Sequence, residues 1–263
     1  MPRSLQRELD VAVAAAEAGG RAALASFGTT LHVDWKSDDS PVSEADRAAD
    51  AAIRASIDAA FPDDGVLSEE SGARPGTSGR RWLIDPVDGT RAFLRGLPHW
   101  CTLIALEAGD EIVVGVLAFP SLGRVYRAAR GHGAWRGETR LEIASPPALA
   151  RCSLVLGEID LIANRLGSNG FLALVRAVGS SSSYGAGYGA ALVLDGKADV
   201  WIEGDVSPWD IAPYGVLFEE AGARYTNLDG ARGWPGASGL AAAPTLHREV
   251  LDLLARPAST PPA

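Results

Sequence analysis

The stretch "WLIDPVDGTRAF" (82–93) sets two aspartates, Asp85 and Asp88, three residues apart around a proline and follows them with a Gly-Thr pair. Pro86 fixes its own φ and biases Asp85 toward extended backbone. The chain is therefore expected to turn directly after a strand, aiming both carboxylates at one point and leaving the Val87 carbonyl free. Oxygen donors of this kind suit a hard cation such as Mg²⁺. Gly89 lets the backbone approach an anion closely, and Gly89 and Thr90 are placed to open a short helix whose N–H groups face a phosphate. The plainer alternative is an Asp-Pro turn with Asp88 as an N-cap.

Three further stretches carry acids. "SEES" brings Glu69 and Glu70 after the strand-like "GVL", "SPVSEAD" ends in Asp46, and "EGDVSPWD" ends in Asp210. Asp46 and Asp210 each stand third after a serine, Ser43 and Ser207, which is the spacing of a capping box; Pro208 suits the first position of the second helix. Each carboxylate could serve its own helix end, and a carboxylate in a first turn can also point outward toward a metal. Glu69 and Glu70 read equally as an exposed acidic loop. His32, His99, His132 and His247 are scattered without metal-ligand spacing and are expected to be surface or structural. "GAGYG" (185–189) has the wrong spacing for a dinucleotide fingerprint, and neither GxSxG nor paired CxxC occurs.

The elements that must position these residues follow from periodicity. Leu5, Leu9, Ala12, Val13, Ala16, Ala23, Leu24 and Phe27 recur at helical spacing, predicting a helix over 4–27 ended by Gly28. A second helix is expected from "SEAD" (43–46) to just before "FPDDG" (61–65). Short β-rich runs then follow at 81–85, 101–107, 111–119 and 123–129, giving an α+β first half with helices before an antiparallel meander. Pro146 and Pro147 mark a junction, so the expected domains are 1–145, carrying most of the acids, and 146–263, carrying Asp210. In the latter, strands at 152–157 and 198–203 alternate with helical stretches at 160–178, 186–195 and 208–222, an α/β pattern. "GARPGTSG" (72–79) reads as a flexible loop.

Bulk properties bound the function. The 263 residues carry 24 basic and 33 acidic side chains, a net charge of −9, which argues against nucleic acid or an anionic membrane as partner. An anionic substrate remains compatible, because a bound cation reverses the local sign. The N-terminus does not read as a signal peptide, and no long uncharged apolar run appears. Cys101 and Cys152 lie in apolar stretches, as expected of buried thiols in a cytoplasmic protein.

These residues together resemble the inositol monophosphatase superfamily of Mg²⁺-dependent, Li⁺-sensitive phosphatases. "EES" followed by "WLIDPVDGTRAF" matches one family signature, "WDIAPYGVLFEEAGA" matches a second, and Lys36 with "SPVSEAD" matches the N-terminal lysine and aspartate segment. The resemblance covers nearly the whole chain. It implies a layered αβαβα sandwich of the inositol monophosphatase/fructose-1,6-bisphosphatase type, with the site at the domain junction, and a homodimer. It also implies that Glu69, Asp85 and the Val87 carbonyl hold one Mg²⁺, that Asp85, Asp88 and Asp210 hold a second, and that a third, weaker ion sits near Glu69. Thr90, paired with Asp46, would orient or deprotonate the attacking water, backbone N–H groups at Gly89 and Thr90 would hold the phosphate, and Glu203 would contact the organic part of the substrate. Li⁺ is expected to inhibit. The chemistry is coherent: two cations about 4 Å apart neutralise the phosphate, generate a nucleophile near neutral pH and stabilise a departing alkoxide.

"RAFLRGLPHWCTLIAL", "EGDVSPWD" and "ARYTNLDG" look most like the histidinol-phosphatase branch, which would place the protein in histidine biosynthesis. Glu203 could pair with the ammonium group of histidinol, or accept inositol hydroxyls. Inositol 1-phosphate, or another small nucleotide or sugar phosphate, is the alternative. Four departures from the family pattern stand out: Ser68 before the acidic pair, Ala223 in place of a glycine, Pro213 inside the helix after Asp210, where it is expected to kink the helix, and "SSSYGAGYG" (181–189) in place of a Gly-Thr-Ala pattern. A non-catalytic protein binding metal and a phosphorylated metabolite would be signalled by a lost ligand or a replaced Thr90, and neither is seen.

Overall fold

The computed structural model describes residues 4–30, 33–35, 41–144, 146–185, 187–232 and 238–255. Helix α1 (Gln6–Leu24) buries Leu9, Ala12, Ala16 and Ala23, small residues at helical spacing that allow close packing on its neighbours. It stops at Leu24, earlier than its periodicity predicts. Ser26 and Phe27 donate back to Ala23 and Leu24 in a tightened last turn, which lets the Phe27 ring reach Phe93 (5.3 Å) and Trp100 (5.8 Å). A short hairpin of β1 (Val33–Trp35) and β2 (Pro41–Ser43) leads into α2 (Glu44–Ala60).

The first large sheet is built from β3 (Gly65–Ser68), β4 (Gly72–Arg74), β5 (Arg80–Asp88), then, after the one-turn helix α3 (Thr90–Leu94), β6 (Cys101–Ala108), β7 (Glu111–Phe119), β8 (Arg124–Ala129), β9 (Gly133–Arg136) and β10 (Thr139–Arg140). From β5 to β10 it is the expected antiparallel meander, and β3 adds in parallel on the other side of β5. The second half of the chain runs β11 (Ser153–Leu156), α4 (Ile159–Ala177), β12 (Ser180–Ser183), α5 (Tyr188–Leu194), β13 (Val200–Glu203), α6 (Pro208–Glu220), β14 (Arg224–Thr226), β15 (Gly239–Ala242) and α7 (Pro244–Leu254). Its five strands are ordered β12-β11-β13-β15-β14, parallel across β12, β11 and β13 and antiparallel beyond.

Strand alternation shows how the layers stack. In β5 and β6, Trp82, Ile84, Ile104 and Leu106 face α1 and α2, while Leu83, Leu103 and Ala105 face α5 and α6. In the second sheet Val155, Trp201 and Ala241 face that same inner helical layer. Leu154, Leu156, Val200, Ile202 and Leu240 turn outward to α4 and α7. The result is an αβαβα sandwich whose central helices α5 and α6 have apolar residues on both sides, and one core that includes residues from both sides of Pro146–Pro147.

One expectation is corrected. Residues 72–79 are not a free loop: Gly72–Arg74 form edge strand β4, and the Thr77 and Ser78 amides donate to the Asp63 carbonyl (2.8 and 3.0 Å). Pro213 stands inside α6, which continues through it to Glu220. It is past the first turn, so the helix forfeits the bond an amide there would have made to the Trp209 carbonyl, and it is buried with its own carbonyl close over Gly115 of β7. Among the described residues no helix is long and apolar enough to cross a membrane.

Candidate active site

The two aspartates of "DPVDGT" reach one point by a device that their spacing alone conceals. Residues three apart on a regular strand point to opposite faces. Here Asp85 pairs with Leu103 and Asp88 with Cys101, so three steps on β5 oppose two on β6. The extra residue is a β-bulge at Pro86–Val87, which returns Asp88 to the face of Asp85, toward α6. Pro86 has no amide to lose from the ladder, and its carbonyl accepts from the Thr102 hydroxyl (2.9 Å). The Val87 amide donates to Asp85 Oδ1 (3.0 Å).

Glu69 arrives from the parallel neighbour: its amide donates to the Ile84 carbonyl (3.1 Å), extending the β3–β5 ladder so that Glu69 stands beside Asp85. Ser68 has its own task, donating to Asp50 (2.5 Å) in the core. Gly89 takes φ +84°, a left-handed turn that opens α3, and Gly89, Thr90 and Arg91 line the cavity. The first amides of a helix lack intrahelical partners and suit an anion. Asp88 does not cap this helix; its Oδ2 accepts instead from the Gly187 amide (2.8 Å) and the Cys101 thiol (3.2 Å).

Asp46 and Asp210 make the capping boxes their spacing predicts, but each uses one edge to do so. Asp46 Oδ2 accepts from the Ser43 amide (2.8 Å) and hydroxyl (2.6 Å), while Oδ1 lies 3.1 Å from the Thr90 hydroxyl. That hydroxyl is also 3.1 Å from the Val87 carbonyl, so its single proton has two acceptors. Burial pushes the Asp46 carboxyl up, and the Ser43 and Thr90 hydrogen bonds oppose that. Asp210 Oδ2 accepts from the Ser207 amide (2.9 Å) at the start of α6. The capping and catalytic readings of both residues are thus compatible.

Glu69, Asp85, Val87, Asp88, Gly89, Thr90, Glu203 and Asp210 all line one cavity of about 830 Å³; Asp46 stands behind Thr90. Glu203, at the end of β13, is 7% exposed. Burial pushes its carboxyl up to about 7, against the lowering effect of amide bonds from Gly204 (2.9 Å) and Glu158 (3.0 Å). Gly157 makes room for it, since a Cβ there would lie 1.7 Å from Glu203 Oε2. Sequence reasoning missed Glu158, Asp160, Asp205 and Tyr214, which complete the wall. Two signals pointed to them. β11 and β13 are parallel neighbours whose carboxyl ends face the cavity, the usual place for ligands in such sheets, and Tyr214 follows Asp210 by one helical turn. None of the described histidines lines it: His99 packs against Tyr188 and His247 is buried against Thr226, while His32, like Lys36, lies outside the described residues.

Asp85 and Asp88 are both held well above the ordinary carboxylate range, Asp85 by burial and the charges of Glu69, Asp88 and Asp210, Asp88 by burial and the charge of Asp210. Such crowding of buried acids is costly unless a cation is shared among them. Among the described residues no group of three or more His, Cys, Asp or Glu side chains stands in an arrangement that could hold a metal ion. The donor set nevertheless fits a hard cation: carboxylates and one backbone carbonyl, gathered on one cavity and short of positive charge.

A model of the inositol monophosphatase family matches residues 4–260. The chain belongs to this family. It is a phosphatase of the phosphomonoesterase type. It is 37% identical over 253 residues to a histidinol-phosphatase of Mycobacterium tuberculosis, covering 94% of this chain and 97% of the relative. An inositol-1-monophosphatase of Mesorhizobium japonicum is 35% identical over 260 residues, 95% of this chain and 97% of the relative. Among solved structures, the extragenic suppressor protein suhB of Bartonella henselae superposes with a TM-score of 0.88 at 28% identity, covering 95% of this chain and 98% of that one. The αβαβα expectation is thereby met.

Proposed function

We propose that this phosphatase hydrolyses L-histidinol phosphate, with Mg²⁺ held by Glu69, Asp85, the Val87 carbonyl, Asp88 and Asp210. The observation that carries the reading is the single cavity that joins the Asp85–Asp88 bulge to the Gly89–Thr90 helix start and to an acidic wall. Family members are typically Mg²⁺-dependent; the ion, when bound, supplies charge neutralisation and lowers the pKa of a water. Amides at Gly89 and Thr90 would orient the phosphate with its ester oxygen toward β13. The Thr90 hydroxyl, by passing its proton to Asp46 Oδ1, can take one from the attacking water. Glu203, with Glu158, Asp160 and Asp205 beyond it, gives a wall that favours a cationic leaving group such as an amino alcohol.

Inositol 1-phosphate is the second reading, favoured by the near-equal match to inositol-1-monophosphatase and by the capacity of Glu203 to accept hydroxyls. The test is phosphate release from the two esters side by side, with Mg²⁺ and with chelator. A strong, Mg²⁺-dependent preference for histidinol phosphate supports the proposal. Equal or inositol-favouring rates refute the substrate while leaving the phosphatase chemistry intact.

A further inference from the structure

We propose that Cys101 is a positioning residue for Asp88, its thiol and the Gly187 amide together clamping one edge of that carboxylate so that the other is presented to the cavity. The inference rests on the reading of Asp88 as a metal ligand. Cys101 and Asp88 are cross-strand partners on the far side of the bulge, the thiol sulfur 3.2 Å from Oδ2 and the Gly187 nitrogen 2.8 Å from the same oxygen. Cys101 is fully buried and does not line the cavity, so it can act only through Asp88.

The clamp is needed because of what surrounds it. Asp88 and Asp210 repel each other, and an unrestrained carboxylate would relieve that repulsion by rotating away from the cage. Gly187 is itself wedged in place: a Cβ there would lie 2.6 Å from the Leu117 side chain, 2.8 Å from the Tyr214 hydroxyl and 3.0 Å from the Cys101 sulfur. Strands β6 and β7 and helix α6 therefore close around Gly187, whose amide holds one oxygen of Asp88. A residue of similar volume without a donor would keep the packing and lose the hold.

The experiment compares Cys101→Ser, Cys101→Ala, Cys101→Val and Asp88→Asn in the full chain. The readouts are the Mg²⁺-induced rise in Tm without substrate, the Mg²⁺ concentration for half-maximal phosphate release, and KM at saturating Mg²⁺. Loss of one hydrogen bond to a charged group predicts about 5- to 20-fold weaker Mg²⁺ binding in Cys101→Ala and Cys101→Val, with KM within about twofold. Cys101→Ser, which keeps a donor, should stay within about twofold of the parent. If the alanine variant fails to fold, the valine–serine contrast decides. Parent-like Mg²⁺ binding in the donor-free variants, or equal weakening in serine and valine, overturns the clamp. Asp88→Asn separates the two layers: an unchanged Mg²⁺ response there overturns the metal-ligand reading itself. A lost response there beside parent-like Cys101→Ala overturns the clamp alone.

Discussion

Replacing Gly157 by alanine should cost this protein both stability and substrate discrimination. The added Cβ would lie 1.7 Å from Glu203 Oε2, 2.2 Å from its Cδ and 2.3 Å from Oε1. Backbone cannot yield by that much inside a parallel ladder whose Gly157 amide donates to Ile202 (2.9 Å), so the carboxylate must leave. Moving it breaks the bonds from the Gly204 and Glu158 amides. Two hydrogen bonds to a charged group, partly regained from water, amount to about 2–4 kcal/mol. For a chain of this size that is a fall in Tm of about 5–12 °C. If Glu203 receives the amine of the substrate, kcat/KM for histidinol phosphate should drop about 10- to 100-fold, while an ester whose leaving group carries no cation, such as p-nitrophenyl phosphate, loses far less. Differential scanning fluorimetry and phosphate release on both esters measure the two effects. Parent-like Tm would refute the steric argument. A fallen Tm with equal losses on both esters would refute the role given to Glu203.

Asp85→Asn should reduce turnover by at least about 1,000-fold, since an amide cannot serve as an anionic bridging ligand. With chelator present the same variant should be more stable than the parent by about 1 kcal/mol and melt a few degrees higher, because one charge leaves a crowded buried set. A lower Tm in chelator would count against that crowding. Thr90→Ala should slow turnover about 100-fold and leave the Mg²⁺-induced Tm rise intact; loss of that rise would instead make Thr90 part of the cage. His247 tests the pH dependence. Burial, then the Arg224 charge, lower its pKa from 6.5 to about 4, and its Nδ1 is buried without a partner. Above pH 6.5 the ring is neutral folded and unfolded; below that value only the unfolded chain binds the proton, until the folded ring titrates near 4. Stability should therefore fall through that window by on the order of 2 kcal/mol. Urea titrations at pH 7 and 4.5 should show a smaller fall in His247→Asn than in the parent.

The acids were legible in the sequence because their partners are local. Pro86, the Gly-Thr pair and two serine-spaced carboxylates are signals spanning six residues or fewer, and helices such as α2 and α6 carried caps that fixed their starts. What stayed hidden depends on chain segments far apart. The bulge is a relation between β5 and β6, and the sequence of one strand does not state how the other counts. "GVL" read as strand-like, but the parallel pairing of this strand to β5, which brings Glu69 to Asp85, is a tertiary choice. "SSSS" (180–183) has no hydrophobic pattern and became β12 as an edge beside β11. Cys101 was rightly read as buried; its contact with Asp88 follows only from the register.

The bulge also changes which mutations the motif can survive. Substitutions near Pro86 and Val87 trade one side chain for another and leave the count between strands alone. Removing one residue there would restore regular pairing and leave Asp88 two steps from Asp85, still on its face, but would take away the Pro86–Val87 kink and one of the backbone carbonyls between the two carboxylates. The length of chain between the two aspartates, as well as the residue types in it, is what this strand must preserve, and a comparison that tolerates a gap at that point would keep both carboxylates and overlook the backbone lost from the cavity wall.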